Sequence, residues 1–176
     1  MEVTRIRALR GPNLWTRHTA IEAVVKCNED ECSIARIPDF EARLRTRFPE
    51  MPPLEPTSHL EEPACAHVLE CAVLGLQTEA GCPVTFSRTA VTTEPGTYQV
   101  VVEYTEEAVG RLAFELAEEL YRSALADEPF DLEGALARLR DLDEDQRLGP
   151  STASIVQAAV DRGIPYRRLT EGSLVQ

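Results

Sequence analysis

His67, Glu70 and Cys71 carry the side chains whose types and spacing are best suited to chemistry. On a helix, positions i, i+3 and i+4 share a face, so an imidazole, a carboxylate and a thiol would converge there. Imidazole and thiolate both bind zinc, and a glutamate beside them can act as general base toward a metal-bound water. The stretch His67-Val68-Leu69-Glu70-Cys71 differs by one residue from the His-x-x-Glu-His pattern of inverted zinc hydrolases, with cysteine in place of the second histidine. A catalytic zinc usually keeps three protein ligands and one open position. His59, Glu94 and Glu103 are the nearest candidates for the third ligand, and none stands at a diagnostic interval. The alternative is structural: two polar residues in a cleft and a small buried thiol.

Charge marks a second set of candidates. The 176 residues carry a net charge of −12, which argues against a general nucleic-acid binder, because such proteins need a cationic footprint for phosphates. The acidity is concentrated between residues 51 and 146, where 5 Lys or Arg face 20 Asp or Glu. Arg5, Arg7, Arg10 and Arg17 make the N-terminus locally basic and able to pair with carboxylates. A ligand carrying both signs suits such a surface.

These residues need elements to position them. Val3 to Leu9 alternates as a strand, with Val3, Arg5 and Arg7 on one side and Thr4, Ile6 and Ala8 on the other, closed by the breaker Gly11-Pro12-Asn13. Ala20 to Cys27 reads as a second strand and Asn28 to Ser33 as a turn. A short helix opens at Pro38-Asp39 and runs to Phe48, with Phe40, Leu44 and Phe48 as its apolar stripe. Pro49 to Pro63 reads as an irregular crossing.

The next helix is expected from about Pro63 to Ala80, with Gly81 as its stop. Val68, Leu69, Ala72, Val73 and Leu76 form its core face, leaving His67, Glu70, Cys71 and Leu74 on the opposite one, toward a cleft or solvent. Strands at Val84 to Thr92 and Thr97 to Tyr104 flank the turn signal Glu94-Pro95-Gly96. Glu106 to Ala126 is a long amphipathic helix, and Leu132 to Glu144 a further one with Asp131 as N-cap. Together these predict an α+β fold, a small mixed or antiparallel sheet of about four strands covered by helices.

Beyond Gly149-Pro150 the pattern changes. A helix from Ser151 to Asp161, capped by Ser151 or Thr152, leads through Gly163 to a short strand at Ile164 to Leu169 and an extended Glu171 to Gln176. Residues 1–148 therefore read as one domain and 149–176 as a lead-in to another, or as an edge strand on the first. The five cysteines form no Cys-x-x-Cys pair, and the N-terminus shows no signal-peptide pattern. The chain is expected in the cytoplasm with free thiols, no disulfide and no membrane span.

Four blocks in this order carry a family resemblance: Leu9-Arg10-Gly11-Pro12-Asn13; His67 to Glu70 with Leu76 to Gly81; the hairpin from Ser87 to Tyr104; and the tail Ser154-Ile155-Val156, Gly163-Ile164-Pro165 and Glu171 to Gln176. Together they resemble the N-terminal region of bacterial cyanophycin synthetases. The resemblance implies an ATP-dependent ligase, using ATP and Mg, that builds an aspartate backbone bearing arginine on each β-carboxyl. An ATP-grasp domain and a Mur-ligase-like domain perform the two additions, in an enzyme expected to be a homo-oligomer. No Gly-x-x-x-x-Gly-Lys-Ser/Thr phosphate loop occurs in this chain, so no cofactor is expected in the segment itself.

The role implied is an accessory domain that holds the growing polymer. Its carboxylates would meet Arg5, Arg7, Arg10, Arg17, Arg88 or Arg111, and its guanidinium groups the acidic residues Glu94, Glu103, Glu106 and Glu107. Some members of the family resemble metallopeptidases in this domain, which makes a zinc-dependent hydrolase cutting polymer into primers the rival reading. Glu70 would then be the catalytic base and His67 and Cys71 metal ligands. A domain serving only assembly of the parent enzyme is the third.

Overall fold

The computed structural model describes residues 1–28, 32–54, 64–167, 169 and 174–176. Strands β1 (Glu2–Leu9) and β2 (Ala20–Lys26) are followed by helices α1 (Phe40–Arg47) and α2 (Cys65–Glu79). The hairpin β3 (Ser87–Val91) and β4 (Thr97–Glu103) precedes α3 (Glu107–Ala126), α4 (Leu132–Gln146) and α5 (Pro150–Val160). The four strands form one antiparallel sheet in the order β1-β2-β4-β3, so β2 pairs with both its hairpin partner and the distant β4. This is the α+β architecture read from the sequence, with the sheet antiparallel throughout.

Pleating sorts the strand residues onto two faces. Ile21, Ala23, Val25, Val100 and Val102 are buried toward the helices, with Thr89 beside them. Arg7, Glu22, Val101 and Arg88 stand in register across all four strands on the opposite face. The sequence alternation places Val3 with Arg5 and Arg7, and here the structure differs. The register shifts between Val3 and Arg5, so Val3 opposes Val25 and packs on the core with Ile6 and Ala8. A bulge of this kind inserts one residue and reverses which face the next side chain takes.

α2 lies at the centre of the molecule. One side packs on α3 and the other on β3 and β4, and twelve of its residues from Cys65 to Gln77 are buried. The expected division into a core face and a cleft or solvent face therefore fails: His67, Glu70 and Cys71 are buried as well. Pro63 lies outside the described residues; the helix starts at Cys65 and ends where Gly81 takes φ +94°, with the Cys82 N–H donating back to the Gln77 carbonyl at 2.9 Å. Gly110 lets α3 begin flush against the sheet. A Cβ there would sit 2.8 Å from Tyr104 Cβ and 2.9 Å from Ile21 Cδ1.

The local signals elsewhere hold. Asp131 caps α4 by accepting from the Gly134 N–H at 2.9 Å. At α5, by contrast, the N-cap is Gly149, and Ser151 and Thr152 lie inside the first turn. No strand is formed at residues 164–167; instead Arg167 and Gln176 exchange backbone hydrogen bonds at 2.7 and 2.8 Å, and the Leu169 N–H donates to Leu174 at 2.9 Å. The tail pairs with itself rather than adding an edge to the main sheet. Glu171, Gly172 and Ser173 lie outside the described residues, as do 29–31 of the expected turn and 55–63 of the proline-rich crossing.

The cysteines require a further correction. Cys27, just after β2, and Cys65, the first residue of α2, form a disulfide across 38 residues, while Cys32, Cys71 and Cys82 are free thiols. Linear spacing carries no sign of this pair, because tertiary packing alone brings the end of β2 beside the start of α2. Thiol titration of the denatured chain is expected to find three reactive cysteines before reduction and five after it. Five before reduction would contradict the pairing.

Candidate functional site

The His67–Glu70–Cys71 turn faces β3. The His67 Nδ1 lies 3.1 Å from Glu70 Oε2, and its Nε2 lies 3.7 Å from Cys71 Sγ. Ser87 and Thr89, on the core-facing side of β3, donate their hydroxyls to Glu70 Oε1 at 2.7 Å and Oε2 at 2.6 Å. Burial acts to raise the Glu70 pKa, yet the hydrogen bonds from His67, Thr89 and Ser87 prevail and hold it below the usual carboxylate range. The His67 pKa is pushed up to about 10, first by the hydrogen bond with Cys71 and then by that with Glu70, against the opposing effect of burial.

These residues do not fit a catalytic zinc. Both Glu70 oxygens are occupied by partners from within the fold, and no group of three ligand side chains occurs among the described residues. Of the expected third ligands, Glu103 accepts from the Thr85 and Phe86 N–H groups at 2.9 Å and Glu94 pairs with Lys26 at 3.0 Å. His59 lies outside the described residues. Sequence reading did not single out Ser87 and Thr89, whose alternation along β3 is the signal that both point to one face.

The outer face of the sheet brings three of the expected arginines together. Glu22 is only 2% exposed although it sits on the side away from the helices. Arg7 Nε and Arg5 approach its Oε2, while Trp15 Nε1 at 3.2 Å and Gln99 Nε2 at 3.3 Å donate to its Oε1. Arg88 lies over the Trp15 ring, 5.9 Å from the centroid. Asn13 builds the loop that carries Trp15: its Oδ1 accepts from the Trp15 and Thr16 N–H groups at 2.9 and 3.1 Å. Arg5, Arg7 and Arg88 all remain exposed. Glu22 was legible only as the lone charge in the apolar run Ala20 to Val25, and Trp15 carried no signal.

The other arginines meet at the end of the sheet where β1 finishes and α3 begins. Two adjoining grooves of about 550 and 640 Å³ share Thr19, Tyr104 and Glu106. Arg17, His18 and Glu103 line the first, with a 3.5 Å contact between His18 Nδ1 and Glu103 Oε1. Arg10, Arg111 and Glu107 line the second, and Arg111 pairs with Glu107 at 2.9 Å. Glu94 is not part of this cluster; it lies beyond the opposite end of β4.

The fold and these surfaces define a small α+β domain with one open sheet face, a two-signed groove at its end and an enclosed Cys–His–Glu turn. The sequence matches the family model described as the cyanophycin synthase-like N-terminal domain over residues 22–126, more than half the chain, and the chain belongs to that family. It is 36% identical to the cyanophycin synthetase of Trichormus variabilis, 32% to that of Geminocystis herdmanii and 31% to that of a Synechocystis species. The whole chain aligns in each case but covers 21%, 22% and 22% of the relative. The chain thus spans about a fifth of the length of the curated relatives it matches. No helix among the described residues is long and apolar enough to cross a membrane.

Proposed function

We propose that this chain is the accessory N-terminal domain of an ATP-dependent cyanophycin (multi-L-arginyl-poly-L-aspartate) synthetase and holds the growing polymer near the ligase active sites. Residues 149–176 are the connection toward the ATP-grasp part, and ATP and Mg act there and in the Mur-ligase-like part, in the cytoplasm. The observation that supports this reading most is the pair of adjoining grooves lined by Arg10, Arg17 and Arg111 together with Glu103, Glu106 and Glu107, in a domain whose outer sheet face bears Arg5, Arg7 and Arg88.

A polymer with carboxylate ends and guanidinium side groups matches both signs. Each exposed ion pair contributes below about 1 kcal/mol, so affinity grows with the number of repeats engaged at once. Trp15 is the sole tryptophan and touches both Glu22 and Arg88, so its emission reports on this face. Titration with aspartate–arginine segments of increasing length should shift that emission at concentrations that fall as the segments lengthen. A response independent of length would remove the multivalent anchor.

A further inference from the structure

The hydrogen-bond chain from Cys71 through His67 to Glu70 is not used in holding a polymer, and its order is that of a nucleophile, a base and the group that orients the base. Ser87 and Thr89 fix the carboxylate from the neighbouring strand, so the imidazole is held with one nitrogen on Glu70 and the other on the sulfur. We propose that Cys71 is a peroxide-reactive thiol, activated by His67 as base and Glu70 as the positioning carboxylate, and that its product is a sulfenic acid.

Access sets the class of reagent. Cys71 keeps 6% of its surface exposed and borders neither of the charged grooves, which suits a peroxide-sized electrophile and excludes a peptide or polymer segment. In the reaction the sulfur attacks one peroxide oxygen, the S–O bond forms as the O–O bond breaks, and the sulfur is oxidised by two electrons. The proton held between Cys71 Sγ and His67 Nε2 passes to the departing hydroxide, which becomes water; peroxide is the oxidant and is reduced. The remaining thiols are placed differently. Cys82 has its pKa raised by burial and by Asp143, and Cys32 donates toward the Cys27 carbonyl at 3.6 Å.

Among the described residues, β4 places Glu103 beside Gln77 of α2, with its carboxylate held by the Thr85 and Phe86 N–H groups. β3 brings the hydroxyls of Ser87 and Thr89, the buried side chains of α3 are apolar apart from Tyr121 and Ser123, and α4 directs Asp143 toward Arg147 and Cys82.

The test exposes the full chain, treated with a chelator beforehand, to hydrogen peroxide with a sulfenic-acid trap, and locates the adducts by peptide mass spectrometry. At about pH 7 Cys71 should be labelled at least about tenfold faster than Cys32 or Cys82. His67→Gln should abolish the preference for Cys71, Glu70→Gln should slow labelling about tenfold and Glu70→Asp should restore part of the rate, with folding checked by circular dichroism. If a variant fails to fold, the order of labelling in the wild-type chain still decides. Labelling of Cys32 or Cys82 as fast as that of Cys71 in the folded wild-type chain would overturn the proposal.

Discussion

Glu70→Ala is expected to destabilise the chain by about 3–5 kcal/mol, the range for removing one partner of a buried ion pair. The substitution deprives His67 Nδ1 of its acceptor and leaves the Ser87 and Thr89 hydroxyls without the carboxylate they share, all between α2 and the sheet. Glu70→Gln keeps the shape and one carbonyl acceptor and should cost less, about 1–2 kcal/mol. Urea unfolding followed by circular dichroism and by Trp15 emission measures both. A Glu70→Ala chain within about 0.5 kcal/mol of wild type would show that this turn does not pin α2 to β3.

The same turn fixes a pH dependence. The folded pKa of His67, about 10, lies above its ordinary 6.5, so its contribution is complete below about pH 6.5 and is lost as pH rises through about 10. Glu70 has the opposite sign: its lowered pKa contributes above about 4.5 and is lost as pH falls through the folded value. His67→Gln should flatten the alkaline limb of the stability curve.

The second large effect concerns binding. Reversing Arg10 and Arg111 together, as Arg10→Glu and Arg111→Glu, should weaken affinity for aspartate–arginine segments at least about tenfold, or about 1.4 kcal/mol. Both line the groove beside Tyr104 and Glu106, where each reversal replaces an attraction for a polymer carboxylate by a repulsion. Arg122→Glu on the same α3 changes the net charge by the same amount per site but lies on another surface, beside Glu118. It should leave affinity nearly unchanged. A loss per reversed charge as large in Arg122→Glu as in the double variant would reduce the effect to net charge and remove the groove from the mechanism.

What the sequence made legible was local. Leu112, Leu116 and Leu120 recur at helical spacing and define α3, Asp131 caps α4 through a bond three residues away, and Gly81 and Gly96 take the positive φ that ends α2 and turns the hairpin. What it hid depends on partners distant in the chain. α2 is buried on both sides because α3 and the β3–β4 hairpin, both later in the sequence, close over it, so no single-helix pattern separates its functional face from its core face. The bulge at β1 is set by pairing with β2, and Cys27 meets Cys65 only once β2 and α2 are packed.

The candidate site divides in the same way. Residue types along the chain were enough to mark Arg5, Arg7, Arg10, Arg17, Arg88 and Arg111, but not that three of them surround Glu22 and Trp15 while the other three border the groove. The same holds for the motif: the His67, Glu70 and Cys71 spacing was visible, whereas its closure by Ser87 and Thr89 required the register of β3.

Calorimetric titration of the purified chain with short, soluble aspartate–arginine segments, at low and at high salt, tests the polymer anchor most directly. Saturable binding that weakens as salt screens the exposed charges is the predicted result. A folded chain that gives no binding heat and no change in Trp15 emission at either salt would contradict it and leave assembly of the parent enzyme as the role of this domain.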